Sequence, residues 1–449
     1  MSERRNVLNL FEEQEEYVSE RVAYGIEKYR KGDAMLMLTD KDGTPIRGAK
    51  IKVDQKNHEF RFGANIFMLE ELESEEKNEK YKNFFADVFN MATLPFYWDT
   101  LEPERGNPRY TKDSPRIYRR PAIDLCIEFC EKHGIEPREH ALAYDAFFPK
   151  WLYGADVALV KSELERRYSE ISMRYADKIP TIEVTNEMEW KKGKTSFYDE
   201  PDFVEFCFKL AEKYFPDNKL CINEHTALCW EDRCRATDKY YAYIESNMLK
   251  GARIDAIGMQ YHLFNKLEDE YSRTRATLDP TGLYRHMDMY SDFGKPIHIT
   301  EVTVPAYSWN KDDEEIQAEI IEKLYSIWFS HPSVEQIIYW NLVDGYAYFW
   351  DPDPEKIKAS QGDMALGENY YYGGLLRFDL SPKPAYFRIK ELLQKRWHTE
   401  AELLTDENGN AEFRGFYGDY NVEISLGERV IRNEISLSKN SENRISIVV

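Results

Sequence analysis

TIEVTNE (181–187) and PIHITEVTV (296–304) are short apolar runs that each carry a glutamate at the end of the apolar core, Glu187 and Glu301. Both read as strands. Six more runs of the same kind accompany them: FGANIF (62–67), FNMATL (89–94), PREHALA (137–143), KLCIN (219–223), IDAIGMQ (254–260) and QIIYWNL (336–342). Amphipathic stretches such as AIDLCIEFCEKHG and EEIQAEIIEKLYSIWFSH lie between them. Strands alternating with helices predict parallel βα units, and eight units predict a closed α/β barrel, the (β/α)8 TIM barrel. An open doubly wound sheet usually carries a Gly-rich turn after its first strand; none follows FGANIF.

The flanks differ in texture. Residues 1–32 are charged and read as helix, with Val7, Leu10, Val18, Val22 and Ile26 as the apolar positions. DAMLMLTDKDGTPIRGAKIKVD, within 33–60, holds two alternating runs around a Gly/Pro/Asp turn, a hairpin signature. The barrel is expected over 61–396. Residues 397–449 alternate and are rich in turns, which predicts a small β module. TDENGNAEFRGFYGDYNVEISL there is similar in style to TDKDGTPIRGAKIKV, so the 33–60 hairpin is expected to join the C-terminal strands in one accessory β-sandwich beside the barrel.

Composition narrows the function. The chain has 449 residues, with 60 Lys+Arg against 81 Asp+Glu for a net charge of −21. That charge repels nucleic-acid phosphates and anionic membranes, so neither is an expected partner. Aromatics make up 14% of the chain, which suits stacking on sugar rings and equally suits a large core. Cysteines at 126, 130, 207, 221, 229 and 234 form no CxxC and no disulfide framework, and are expected reduced. The first residues hold no apolar stretch of signal-peptide length, and no run reaches the length of a membrane span. The expected location is cytoplasmic for the chain as given, or secreted if a leader was removed. No Gly-x-Ser-x-Gly elbow or P-loop occurs. His225 and Glu224 adjoin after the fifth run but lack a further ligand, so no metal or cofactor is expected. The sequence leaves the oligomeric state open.

Active residues of such barrels project from the C-terminal ends of the strands. Glu187 and Glu301 stand there, three βα units apart and therefore on facing sides of the barrel mouth. Two carboxylates about 5–5.5 Å apart are what retaining glycoside hydrolysis requires, one attacking the anomeric carbon and one protonating the leaving oxygen. Each glutamate alone could equally be a solvated strand-end residue. The aromatic group Tyr339, Trp340, Tyr346, Tyr348, Phe349 and Trp350 follows the eighth run and offers either a stacking surface or loop packing.

These residues also carry a resemblance. TIEVTNE and PIHITEVTV resemble the strand-four and strand-seven motifs of family 10 glycoside hydrolases, the retaining endo-β-1,4-xylanases. AIGMQYH (256–262), LEPERGNPRY (101–110), EHALAYDAFFPKWL (139–152), YWNLVDGYAYFW (339–350) and SPKPAYFRI (381–389) resemble further family segments, in order, over nearly the whole chain. The resemblance implies that Glu187 is the general acid/base and Glu301 the nucleophile. It implies that Asn186 donates to a sugar 2-hydroxyl and that His262 hydrogen-bonds Glu301. Gln260 and His140 would line the same subsite, and Trp340 would form its hydrophobic floor.

Two departures stand out. The family's Glu-Asn-x-x-Lys-Trp after strand two grips the sugar beyond the cleavage point, and here the stretch reads Thr93-Leu94-Pro95-Phe96-Tyr97-Trp98. Trp98 remains, Tyr97 stands where Lys is expected, and the Glu and Asn are gone. In the third motif Tyr144 and Asp145 replace Trp and His, and Asp145 could hold a hydroxyl or a cationic group. The expectation is therefore a retaining, xylanase-like β-glycosidase acting on a poly- or oligosaccharide, with a non-xylan glycan or glycoside as the alternative substrate. A non-catalytic carbohydrate-binding protein on the same scaffold is the alternative from another class. Tyr97, Trp98, Tyr144, Asp145 and Trp350 join the expected sugar-contacting set.

Overall fold

The computed structural model describes residues 3–230, 234–351 and 353–449. Numbered along the chain, the strands are β1 (Lys31–Thr39), β2 (Lys50–His58), β3 (Arg61–Asn65), β4 (Met91–Pro95), β5 (Glu136–His140), β6 (Thr181–Asn186), β7 (Lys219–Glu224), β8 (Ala256–His262), β9 (Ile297–Thr303), β10 (Val334–Tyr339), β11 (Glu400–Leu404), β12 (Asn410–Phe416), β13 (Gly418–Leu426), β14 (Arg429–Leu437) and β15 (Arg444–Val448).

β3 to β10 close into a parallel barrel in sequence order, β10 pairing with β9 and neighbouring β3. The eight apolar runs are these eight strands, and helices between them complete a TIM barrel. β4, β6 and β9 are buried at every residue, which is why parallel strands read as continuous runs rather than alternating ones. Local signals set the helix ends. Ser74 Oγ accepts from Lys77 N ahead of Glu75–Val88, Asp156 caps Val157–Tyr175, and Gly134 takes the left-handed conformation that ends Ile123–His133. Among the described residues no helix is long and apolar enough to cross a membrane.

The chain divides into two compact units. The barrel unit comprises Met1–Glu13, Phe62–Ile321 and Ser333–Tyr386, short of the expected boundary at 396. Arg4 belongs to it, pairing with Glu270 at 2.9 Å and Asp313 at 3.1 Å. The other unit comprises Gln14–Arg61, Glu322–Pro332 and Phe387–Val449. The N-terminal helical stretch, expected as one segment, thus breaks at Gln14, between helices Asn9–Glu13 and Glu15–Tyr29.

In the second unit one sheet has the order β12-β1-β15 and the other β11-β2-β13-β14. The expected hairpin is corrected here. β1 pairs with β12 and β15, and β2 with β11 and β13, so the two runs lie in different sheets and do not pair with each other as a hairpin. An alternating pattern marks a strand with one buried face, which a sandwich and a hairpin share. Leu36, Leu38, Ile51, Val53, Phe413, Tyr420, Val422 and Ile424 fill the core between the sheets.

Candidate active site

The C-terminal ends of the barrel strands surround a cavity of about 570 Å³. Glu187 follows β6 and Glu301 lies within β9, and both line it. Glu187 adopts φ +50°, an uncommon backbone state for a non-glycine residue and one that concentrates at functional sites.

Hydrogen bonds join the two carboxylates through amides. Gln260 Nε2 donates to Glu187 Oε1 at 3.1 Å and to Asn186 Oδ1 at 3.2 Å. Asn223 Nδ2 lies 3.1 Å from that same Asn186 oxygen, 3.0 Å from Glu301 Oε1 and 3.1 Å from Glu183 Oε1. Tyr144 Oη donates to Glu187 Oε2 at 2.6 Å. His262 Nε2 stands 3.2 Å from Glu301 Oε2, and its Nδ1 stands 3.0 Å from Thr303 Oγ1. Burial pushes the His262 ring down to about 4, so it is neutral. The Thr303 hydroxyl then donates to Nδ1, leaving Nε2–H to donate to Glu301.

Beneath the pair lies a fully buried charge cluster. Arg138 Nη2 is 2.5 Å from Glu183 Oε2, and His140 Nδ1 donates to Glu183 Oε1 at 2.8 Å. Burial works against ionising Glu183, but His140 and Arg138 outweigh it and hold the carboxyl below its usual range. Burial likewise opposes the charge on His140, but Glu183 and Glu301 overcome it and raise the ring's pKa. His140 Nε2 lies 2.9 Å from the Tyr97 hydroxyl, which tethers Tyr97 to this cluster. Glu301 is raised well above the ordinary carboxylate range, chiefly by burial, with Glu183 and Glu187 pushing the same way and His140 and Arg138 opposing. With all four ionised, Arg138, His140, Glu183 and Glu301 sum to zero charge. His140, Glu183 and Glu301 bring potential metal-ligating atoms within 4.8 Å of one another. Arg138 and Asn223 already engage those carboxylates.

Of the residues expected at the site, Tyr97, His140, Tyr144, Asn186, Gln260, His262, Trp340 and Trp350 line the cavity beside the two glutamates. Trp340 packs edge-on against Phe67 and His140, with centroids 5.4 and 5.3 Å away. Trp98 does not line the cavity. It opens the short helix Trp98–Leu101, turns away from Tyr97, packs on Phe148 and Trp151, and donates to Glu102 at 3.0 Å. Asp145 is also absent from the lining; it is buried and accepts from the Lys192 backbone N–H, which fixes the following loop. Of the aromatic group after β10, Tyr339 and Tyr346 are buried and bond elsewhere, whereas Tyr348 and Trp350 reach the cavity.

Several lining or supporting residues escaped the sequence reading: Phe67, Arg119, Arg120, Glu368, Glu183 and Asn223. The adjacent arginines of IYRRPAID (117–124), set in a largely apolar stretch, were the available signal.

The model of glycosyl hydrolase family 10 matches residues 54–392. The chain is 26% identical over 410 residues to endo-1,4-beta-xylanase 2 of Arabidopsis thaliana, covering 89% of this chain and 33% of that protein. It is 26% identical over 406 residues to anti-sigma-I factor RsgI6 of Acetivibrio thermocellus, covering 89% of this chain and 46% of that one. The chain thus spans a third to a half of the length of these two relatives. Xylanase 10B of Thermotoga petrophila, solved with xylobiose, shares the fold at a TM-score of 0.57 and 22% identity, over 75% of this chain and 95% of that one. With the barrel, the strand-end glutamates and a family match over most of its length, this chain belongs to glycosyl hydrolase family 10.

Proposed function

We propose that the protein hydrolyses a β-linked glycan with retention, by double displacement. The observation that carries the reading is the pairing of Glu187 and Glu301 across one cavity in contrasting surroundings. Glu301 is enclosed by Asn223, His262 and the His140–Glu183–Arg138 cluster. Glu187 is half-buried and reaches the mouth. In the first step Glu301 attacks the anomeric carbon while Glu187 gives its proton to the departing oxygen, and the C–O bond to the leaving group breaks. In the second step Glu187 takes a proton from water, which attacks the same carbon and releases Glu301. The donors Asn223 and His262, with His140 and Arg138 behind them, oppose the burial that raises Glu301 and so stabilise the ionised form that attack requires. Trp340 floors the reacting subsite, and Tyr97 offers its hydroxyl.

Xylan or xylo-oligosaccharides lead as substrates, supported by the named xylanase relatives. The apolar Thr93–Trp98 segment supports a substrate other than plain xylan. A second reading is a glycan-binding module without turnover, since a barrel of this kind can carry a site that binds without reacting. The test is product release from xylan, arabinoxylan, mixed-linkage glucan, aryl β-xylobioside and aryl β-monoglycosides, with Glu301→Ala in parallel. Turnover lost in the variant supports the enzyme. Tight glycan binding with equal, background product release in both proteins overturns it in favour of the binding module.

A further inference from the structure

One wall of the cavity carries two adjacent guanidinium groups, Arg119 and Arg120, 3% and 5% exposed. Among the described residues neither has a carboxylate within ion-pair distance. Arg119 donates from Nη1 to the Tyr346 carbonyl at 2.6 Å and from Nη2 to Asn341 Oδ1 at 3.0 Å. Arg120 donates once, from Nη1 to the Arg119 carbonyl at 2.9 Å. The Nε–H groups of both are buried and have no acceptor. Arg119 also holds φ +59°, so the chain accepts an uncommon backbone state to place this pair.

A guanidinium has five donors and no acceptor, and burying one without a counter-ion is costly. Aromatic stacking offsets part of that cost. The Arg120 guanidinium lies 3.9 Å from the Tyr97 ring centre and within 5.4 Å of Phe67 and Phe147. Stacking leaves the in-plane N–H groups unsatisfied. Glu368, a carboxylate of the same cavity, is bound to Asn341, whose Nδ2 donates to it at 2.9 Å. Asp99 acts on Arg120 only through space. The lining otherwise carries Lys192 and His140 with Glu187 and Glu301. A carboxylate or a sulfate half-ester presents paired oxygens to the guanidinium forks and brings the single negative charge that the arginine pair lacks.

Resting on the glycosidase reading, we infer that the substrate carries a monoanionic substituent, a uronate carboxylate or a sulfate half-ester, and that Arg119 and Arg120 receive it. Tyr97 stacks under Arg120 and hydrogen-bonds His140, whose Nδ1 is 4.0 Å from Glu301, so the anion sits on the reacting sugar or the one beside it. This cation pair would supply the grip that the Thr93–Trp98 segment no longer provides.

The experiment compares kcat/KM for substrates that differ only in the anion. Glucuronate-bearing xylo-oligosaccharides are set against their carboxyl-reduced counterparts, and aryl β-glucuronide against aryl β-glucoside and its 6-sulfate. The wild-type protein should prefer one anionic form by ~10-fold or more, equivalent to about 1.4 kcal/mol. A preference for the carboxylate identifies a uronate as the source, and a preference for the sulfate identifies a sulfate ester. In Arg120→Gln and Arg119→Gln the ratio should collapse towards one, and Arg120→Lys, which keeps a charge but loses the fork, should retain part of it. Thermal melting confirms that each variant is folded, and the wild-type comparison stands without them. Equal rates on charged and neutral forms in the wild-type protein, or a ratio that survives both Gln variants, overturn the inference and leave the glycosidase reading intact. Inactivity on every β-glycoside, together with no calorimetric binding of the acidic oligosaccharide, overturns both.

Discussion

The Tyr144 hydroxyl donates a 2.6 Å hydrogen bond to Oε2 of Glu187. The other oxygen of the same carboxylate accepts from Gln260 Nε2 at 3.1 Å, so Tyr144 and Gln260 together fix its position. Tyr144→Phe removes one of these two contacts and should lower kcat by ~10-fold, equivalent to about 1.4 kcal/mol, with KM little changed. Wild-type kcat in the folded variant would show that Tyr144 only packs.

Glu301 is raised by burial, and the sign of its effect on stability follows. A folded carboxyl with a raised pKa contributes stability that is present below the unfolded value and lost as pH rises through the folded value. Glu301→Gln should therefore melt higher than wild type near pH 7, by about 2 °C or more, with the gain shrinking towards pH 4. The neutral His262 can turn its tautomer to accept from the new amide. An equal or lower melting temperature at pH 7 would contradict the raised state. For the same reason the acidic limb of wild-type activity should lie above the range of an exposed carboxylate.

Gly258 in β8 presses on Asn223. A Cβ at Gly258 would lie 2.5 Å from Asn223 Oδ1 and 2.9 Å from the Ile222 carbonyl, both too close to keep. Asn223 is the residue that bonds Glu301, Glu183 and Asn186. Gly258→Ala should lower kcat by ~10-fold or more and cost about 1–3 kcal/mol in denaturant unfolding. Full activity in a folded variant would remove Asn223 from the positioning of Glu301.

Tyr97→Lys installs the residue that the sequence resemblance leads one to expect there, and it should not create a xylan grip. The ammonium would face Arg120, now 3.9 Å from the Tyr97 ring, and the hydrogen bond to His140 would be lost. Xylan turnover should stay flat or fall, and the melting temperature should drop. A rise in xylan turnover from this one change would contradict the arrangement around Tyr97.

What the sequence showed depended on where the information lies. The barrel strands are legible because each is a buried run, and Glu187 and Glu301 because each is the lone carboxylate at the end of its run. Glu183 was hidden inside TIEVTNE, since a charged residue in an apolar run is explained only by Arg138 and His140 on the neighbouring strand β5. Arg119 and Arg120 sit in a connecting segment whose path depends on tertiary contacts with Tyr346 and Asn341. Trp98 was misplaced because a motif match gives a position and not a side-chain direction. It starts a helical turn, so it points away from its neighbour Tyr97. The β1–β2 hairpin failed because alternation reports one buried face and says nothing about the partner strand.

The central claim is that Glu301 forms a covalent bond to the sugar. The most direct measurement is azide rescue of Glu301→Ala with an activated aryl β-glycoside that the wild-type protein cleaves, reading the product's anomeric configuration by NMR. Double displacement requires the variant to be nearly inactive alone and to regain turnover with azide, giving the α-glycosyl azide. No rescue, or a β-glycosyl azide, would contradict Glu301 as the nucleophile.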